Sequence, residues 1–169
     1  MSPSGHDDPS AMVPSREAVA IVTGGSVGTG REIARGLAGW GWAIVLVYLD
    51  HQPTAEATVA EILAAEGRIV AVRADLADDL DVRRLFAEST AAFAGVDIVV
   101  HTTTDSADLL YQHAARHVRP RGAIVSSSEA ERIPAGIARQ LRERGITVGT
   151  APPEGVFAFL DGWRRRAVS

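Results

Sequence analysis

Ala18-Val19-Ala20-Ile21-Val22 runs directly into Thr23-Gly24-Gly25-Ser26-Val27-Gly28-Thr29-Gly30, and the reading of this junction decides the fold. An unbroken, β-branched apolar run bounded by a turn signal reads as a strand buried on both faces. The glycines that follow allow a tight turn and a close backbone approach. Arg31 to Leu37 continues as a helix, closed by Gly39 and Gly41. A glycine turn between a strand end and a helix start places backbone N–H groups where an anionic group can sit.

The same alternation extends outward. Ala43 to Leu49 reads as the second strand, Thr54 to Glu66 as a helix ended by Gly67, and Ile69 to Arg73 as the third strand. Asp79 to Phe93 forms a helix with acids in its first turn, as the helix dipole favours. Val96 to Val100, Ala123 to Val125 and Ile146 to Val148 complete six strands. Helices over Ala107 to Val118 and Pro134 to Arg144 lie between them, and a last short helix covers Val156 to Arg165. Apolar strands alternating with helices imply right-handed crossovers and an α/β, doubly wound parallel sheet in the order 3-2-1-4-5-6. No repeat or linker divides residues 16–169, so one domain is expected after a polar, disordered tail over 1–15 that carries Pro3, Pro9 and Pro14.

Composition narrows the chemistry. The 169 residues carry a net charge of -4, which argues against a nucleic-acid or acidic-membrane partner. There is no cysteine, so disulfides and thiolate catalysis are excluded for this sequence. No apolar run approaches a membrane span and no signal peptide is visible, so a cytoplasmic protein is expected. Lysine and asparagine are absent, and all 17 basic residues are arginine. Arg164 to Arg166 read as a solvated tail, and Trp40, Trp42 and Trp163 as packing or interface residues. His113 and His117 stand four apart on a helix. With no further ligand in sight, a solvated face is expected there rather than a metal site.

The pattern Thr23-Gly24-x-x-x-Gly28-x-Gly30 after the first strand resembles the cofactor loop of the short-chain dehydrogenase/reductase family. Asp75-Leu76 resembles that family's adenine-contacting Asp. Gly122 to Ser128 resembles its fifth strand with the catalytic Ser, and Arg144 to Val148 with Ala151-Pro152 its sixth strand and following turn. The resemblance spans roughly Glu17 to Val156 and implies a Rossmann-type fold. It also implies cofactor contacts at Gly24, Ser26, Gly28, Gly30 and Asp75.

The departures carry as much information. Where the family has Asn-Asn-Ala-Gly after strand four, this chain has His101-Thr102-Thr103-Thr104. The segment that bears the family's Tyr-x-x-x-Lys is missing between Ser128 and Pro134, and the covering insertion and final strand after strand six are absent or cut. The only tyrosines are Tyr48 and Tyr111, and Ala115 stands four residues after Tyr111. In the family the Lys tunes the Tyr, and arginine does not replace it, being effectively always charged. Hydride transfer by the usual residues is therefore excluded.

What remains at the carboxyl ends of strands one and four is one imidazole among hydroxyls. The leading expectation is a non-redox enzyme that needs no cofactor. It would perform dehydration, isomerisation or Michael-type cyclisation on a carbonyl-bearing, polyketide-type small molecule. His101 would be the base, Asp105 its orienter, and Thr103, Ser126 and Tyr111 would hold the carbonyl oxygen. The equal alternative for His101 is a structural hydrogen-bonder in place of the family's Asn. The rival functions are an atypical NAD- or NADP-dependent oxidoreductase and a catalytically silent binding partner. Val27 and Tyr48, with Asp50, write neither cofactor preference clearly. A homodimer is implied by the family, with Leu109, Leu110, Ile137 and Leu141 as its apolar stripe.

Overall fold

The computed structural model describes residues 18–24, 28–103, 107–127 and 133–168. The expected tail, Ser26, Val27, Thr104, Asp105 and Ser128 lie outside the described residues. Six parallel strands form one sheet in the order β3-β2-β1-β4-β5-β6, as the alternation predicts. The strands are β1 (Val19–Thr23), β2 (Ala43–Tyr48), β3 (Arg68–Arg73), β4 (Val96–His101), β5 (Val118–Ser126) and β6 (Thr147–Thr150). The helices are α1 (Gly28–Gly39), α2 (Gln52–Ala64), α3 (Asp79–Phe93), α4 (Asp108–His117), α5 (Ala135–Glu143) and α6 (Val156–Val168).

Strand side chains alternate between two cores. Val19 and Ile21 of β1 join Val82, Leu85 and Phe86 of α3, Leu110 and Tyr111 of α4, and Leu141 of α5. Ala20 and Val22 face the other way, with Ile33 and Leu37 of α1, Ile62 of α2, and Leu160 and Trp163 of α6. α3 spans the expected residues because Asp78 caps it, its carboxylate accepting from the Leu80 and Asp81 N–H groups.

Two expectations fail here for packing reasons. Arg164 to Arg166 are helical rather than a tail, because α6 continues through them; Arg165 and Arg166 are solvated as expected, whereas Arg164 is half-buried. Trp163 is buried and its Nε1–H donates to the Arg121 carbonyl at 2.9 Å, while the Arg164 guanidinium lies 4.1 Å from the Trp40 ring centre. Leu110 and Leu141 are fully buried core residues, so they cannot form an outward stripe. Only Leu109 and Ile137 of the four remain partly exposed.

The central pair of strands is fastened at its amino-terminal end by Asp97. Its buried carboxylate accepts the Val19 N–H at 2.9 Å and the Arg119 guanidinium at 3.0 and 3.2 Å. Removing it strands a backbone donor and an arginine together. Asp97→Ala is expected to cost about 3 kcal/mol, read as a shift of the urea unfolding midpoint, with Arg119→Ala costing clearly less because that side chain is partly solvated.

Candidate functional site

The carboxyl ends of β1 and β4 meet where the strand order reverses, the position at which open α/β sheets bind ligands. β1 ends in Thr23, and Gly24 follows at φ 65°. α1 opens on Gly28 at φ 52°, where an added Cβ would meet nothing within 4 Å. Both torsions lie in the left-handed region that glycine enters without steric cost. Gly30, one turn into α1, is buried. The start of α1 thus has no atom against the Gly28 Cβ position, and a helix amino terminus of this kind suits an anionic group. Asp75 follows β3, half-buried. Its carboxylate accepts the Ala77 N–H at 2.9 Å, and its own N–H donates to Asp81 at 2.9 Å.

The structure brings His101, Tyr111, Thr103 and Ser126 together, but as a packed knot. His101 ends β4, pairs in register with Ser126 and is 0% exposed. Its Nδ1 lies 2.8 Å from Thr23 Oγ1 and its Nε2 3.4 Å from Thr103 Oγ1. A hydroxyl can donate or accept, so either neutral tautomer of the ring is satisfied there. Tyr111 packs edge-on against the imidazole, ring centres 6.0 Å apart, and is itself fully buried. Ser126 is buried too, while Ser127 donates its N–H to the His101 carbonyl at 2.9 Å. A general base needs a nitrogen that substrate can reach.

Sequence reasoning placed Thr102 and Thr103 at this site but missed the contacts with Thr23 that organise the knot. Thr23 Oγ1 accepts the Thr102 N–H at 3.1 Å, and Thr102 Oγ1 donates to the Thr23 carbonyl at 2.6 Å. Thr103 then covers Gly24, whose missing Cβ would stand 2.5 Å from Thr103 Cγ2. Partners 79 positions apart leave no spacing signal. His113 was also misread, for it is buried between α3 and α4 with Nε2 2.8 Å from Asp79 Oδ1. His113 and His117 stack 6.1 Å apart, both against Phe86. Among the described residues no cluster of three ligands could hold a metal.

With the strand order and its switch point in place, the molecule is a doubly wound, Rossmann-like α/β protein. The model of the short chain dehydrogenase family matches residues 18–117, and the chain belongs to that family. It is 36% identical over 92 residues to the 3-oxoacyl-(acyl-carrier-protein) reductase of Synechocystis sp., covering 54% of this chain and 37% of that protein. It is 32% identical to the hydroxynaphthalene reductase-like protein Arp2 of Metarhizium brunneum, covering 89% and 65%. The chain therefore spans between about a third and two thirds of the length of the curated relatives it matches. Among solved structures, a dehydrogenase/reductase from Sinorhizobium meliloti 1021 superposes with a TM-score of 0.68 at 32% identity, over 83% of this chain and 74% of that one. A short chain dehydrogenase from Burkholderia cenocepacia J2315 in complex with NADP gives 0.65 at 30% identity, over 79% and 72%. Among the described residues no helix is long and apolar enough to cross a membrane.

Two outcomes follow from this geometry. Thr23→Val leaves the buried His101 Nδ1 and the Thr102 N–H without that partner and is expected to cost about 1–3 kcal/mol, measured by thermal or urea unfolding. Acidification is expected to loosen the α3–α4 contact. Burial, with His113, Arg116 and Arg144 nearby, holds His117 below its ordinary 6.5. The unfolded chain then takes up the proton first, so stability falls as pH drops through and below that value. Asp79, held below 3.8 mainly by its hydrogen bond from His113, adds stability above that pH and loses it as pH falls further. His117→Gln should flatten the decline in Tm between pH 7 and 5 without altering the more acidic limb.

Proposed function

We propose that this chain binds a nicotinamide dinucleotide across the carboxyl edge of its sheet and serves an oxidoreductase of the short-chain dehydrogenase type. The carrying observation is the end of β1 at the switch point, where Thr102 and Thr103 clasp Thr23 and Gly24 and both Gly24 and Gly28 hold left-handed torsions. Gly24, Ser26, Gly28 and Gly30 would hold the pyrophosphate at the α1 amino terminus, and Asp75 would border the adenine. When bound, the cofactor supplies a hydride. The chain's own residues orient it, and the proton must come from a group other than a Tyr-x-x-x-Lys pair, since the sequence has no lysine. The reductase names of the relatives and the NADP complex of a 30% identical structure support this reading.

A second reading rests on that same absence of lysine: a non-redox lyase, isomerase or cyclase that needs no cofactor and acts on a carbonyl-bearing, polyketide-type intermediate. His101 would be its base, with Asp105, Thr103, Ser126 and Tyr111 around it. The burial of His101 and Tyr111 weighs against it. A homodimer stays a proposal under either reading.

The test is titration with NADPH and NADH, followed by energy transfer from the three tryptophans and by Tm. Saturable binding of at least one, weakened tenfold or more in Gly24→Ala, is the expected result. No binding of either at millimolar concentration overturns the proposal. Carbonyl turnover without cofactor that is lost in His101→Ala would instead establish the second reading.

A further inference from the structure

At the opposite, amino-terminal edge of the sheet the structure gathers four arginines that stand outside its ion pairs, although Arg116 still lies within Coulomb range of Asp79. Seven helical arginines, Arg31, Arg35, Arg83, Arg84, Arg139, Arg164 and Arg165, each lie within an ion pair, and the strand residues Arg68 and Arg73 donate to the Gly41 and Leu49 carbonyls. Arg119 pairs with the buried Asp97. Arg116, Arg121, Arg142 and Arg144 form no ion pair with any described residue.

These four sit on adjoining pieces of chain. Arg116 is in the last turn of α4, Arg142 in the last turn of α5, and Arg144 caps α5. The Arg144 guanidinium donates to the Ala115 carbonyl at 2.7 Å, which ties the α5 end to the α4 end. The Arg121 N–H faces the Arg144 carbonyl at 3.4 Å, and Gly145 N–H donates to the Arg142 carbonyl at 2.9 Å. Two helix carboxyl termini account for part of this charge, since cations are favoured there. They do not account for Arg121, which lies in β5, is exposed and holds φ 72°, a left-handed torsion that favours glycine. Trp163 fixes its carbonyl, so the backbone is held in that conformation.

We propose that this edge is a docking surface for an acidic segment of a partner protein. Arginine presents a planar fork that takes carboxylates in pairs. The segment would run across Arg116, Arg121, Arg142 and Arg144, far from the glycine turn, so docking leaves the dinucleotide edge open. A short acidic peptide suits the patch better than a nucleic acid. The chain as a whole carries -4, which repels a long polyanion beyond the patch. The neighbouring indole of Trp163 is also buried and unavailable for base stacking.

The test uses the full chain and a fluorescent ten-residue polyglutamate, with anisotropy read from 50 to 300 mM salt. The double variant Arg121→Glu/Arg142→Glu changes two exposed side chains whose guanidiniums make no ion pair, and its Tm should stay within a few degrees of the parent. Expected are saturable binding at 50 mM salt, a fall with rising salt, a tenfold or greater loss in the double variant and no loss in Arg83→Glu/Arg139→Glu. Absence of binding at 50 mM salt, or equal loss in both double variants, overturns the proposal. Preference for a single-stranded oligonucleotide of equal charge also overturns it. NADPH affinity of the variant reports separately on the dinucleotide site.

Discussion

The fold depends on holding β1 against β4, the two strands at which the sheet changes its direction of growth. Their ladder matches three residue pairs, Ala20, Ile21 and Val22 against Ile98, Val99 and Val100, whereas β1 and β2 match five. Side chains reinforce the short ladder at both ends. Asp97 takes the Val19 N–H at one end, and Thr23 engages His101 and Thr102 at the other. Each fastening is buried, so each operates in a medium where polar contacts are strong and unpaired groups are costly. Everything that positions the glycine turn inherits its geometry from these two points.

His101 takes on a different meaning in this setting. As the last residue of β4 it stands where a reacting group would be expected, among hydroxyls. The structure uses those hydroxyls to satisfy the imidazole from both sides, and Tyr111 closes its edge. An imidazole satisfied in either neutral form is a good strand-end fastener. Through Thr23 it also fixes the strand end from which Gly24 departs.

Much of the fold was legible because its signals are local. The α3 span follows from the acids of its first turn, and the strand order follows from alternation. β5 was read as Ala123 to Val125 because Pro120 and Gly122 interrupt the apolar pattern. Yet the strand begins at Val118, and its register against β4 shifts between Val96 and Ile98. Gly24, Gly28 and Gly30 were legible by motif. The contacts that lock the site were not, since Thr23 with His101, and His113 with Asp79, join residues 78 and 34 positions apart. Leu110 and Leu141 show the same limit, because an apolar helix stripe does not say whether it meets the core or a neighbour.

The segment before β2 and the helix α6 meet in one cluster of edge-on rings. Trp42, at the start of the second strand, is fully buried with its ring 5.9 Å from that of Trp163 in α6, and Trp40 lies 5.2 Å from Trp42. During synthesis the early βα unit emerges with Trp42 still lacking its cover. Its apolar face closes only when Leu160 and Trp163 of α6 pack on it. A chain stopped before α6 would lack Leu160 and Trp163 and leave one face of the sheet unfinished.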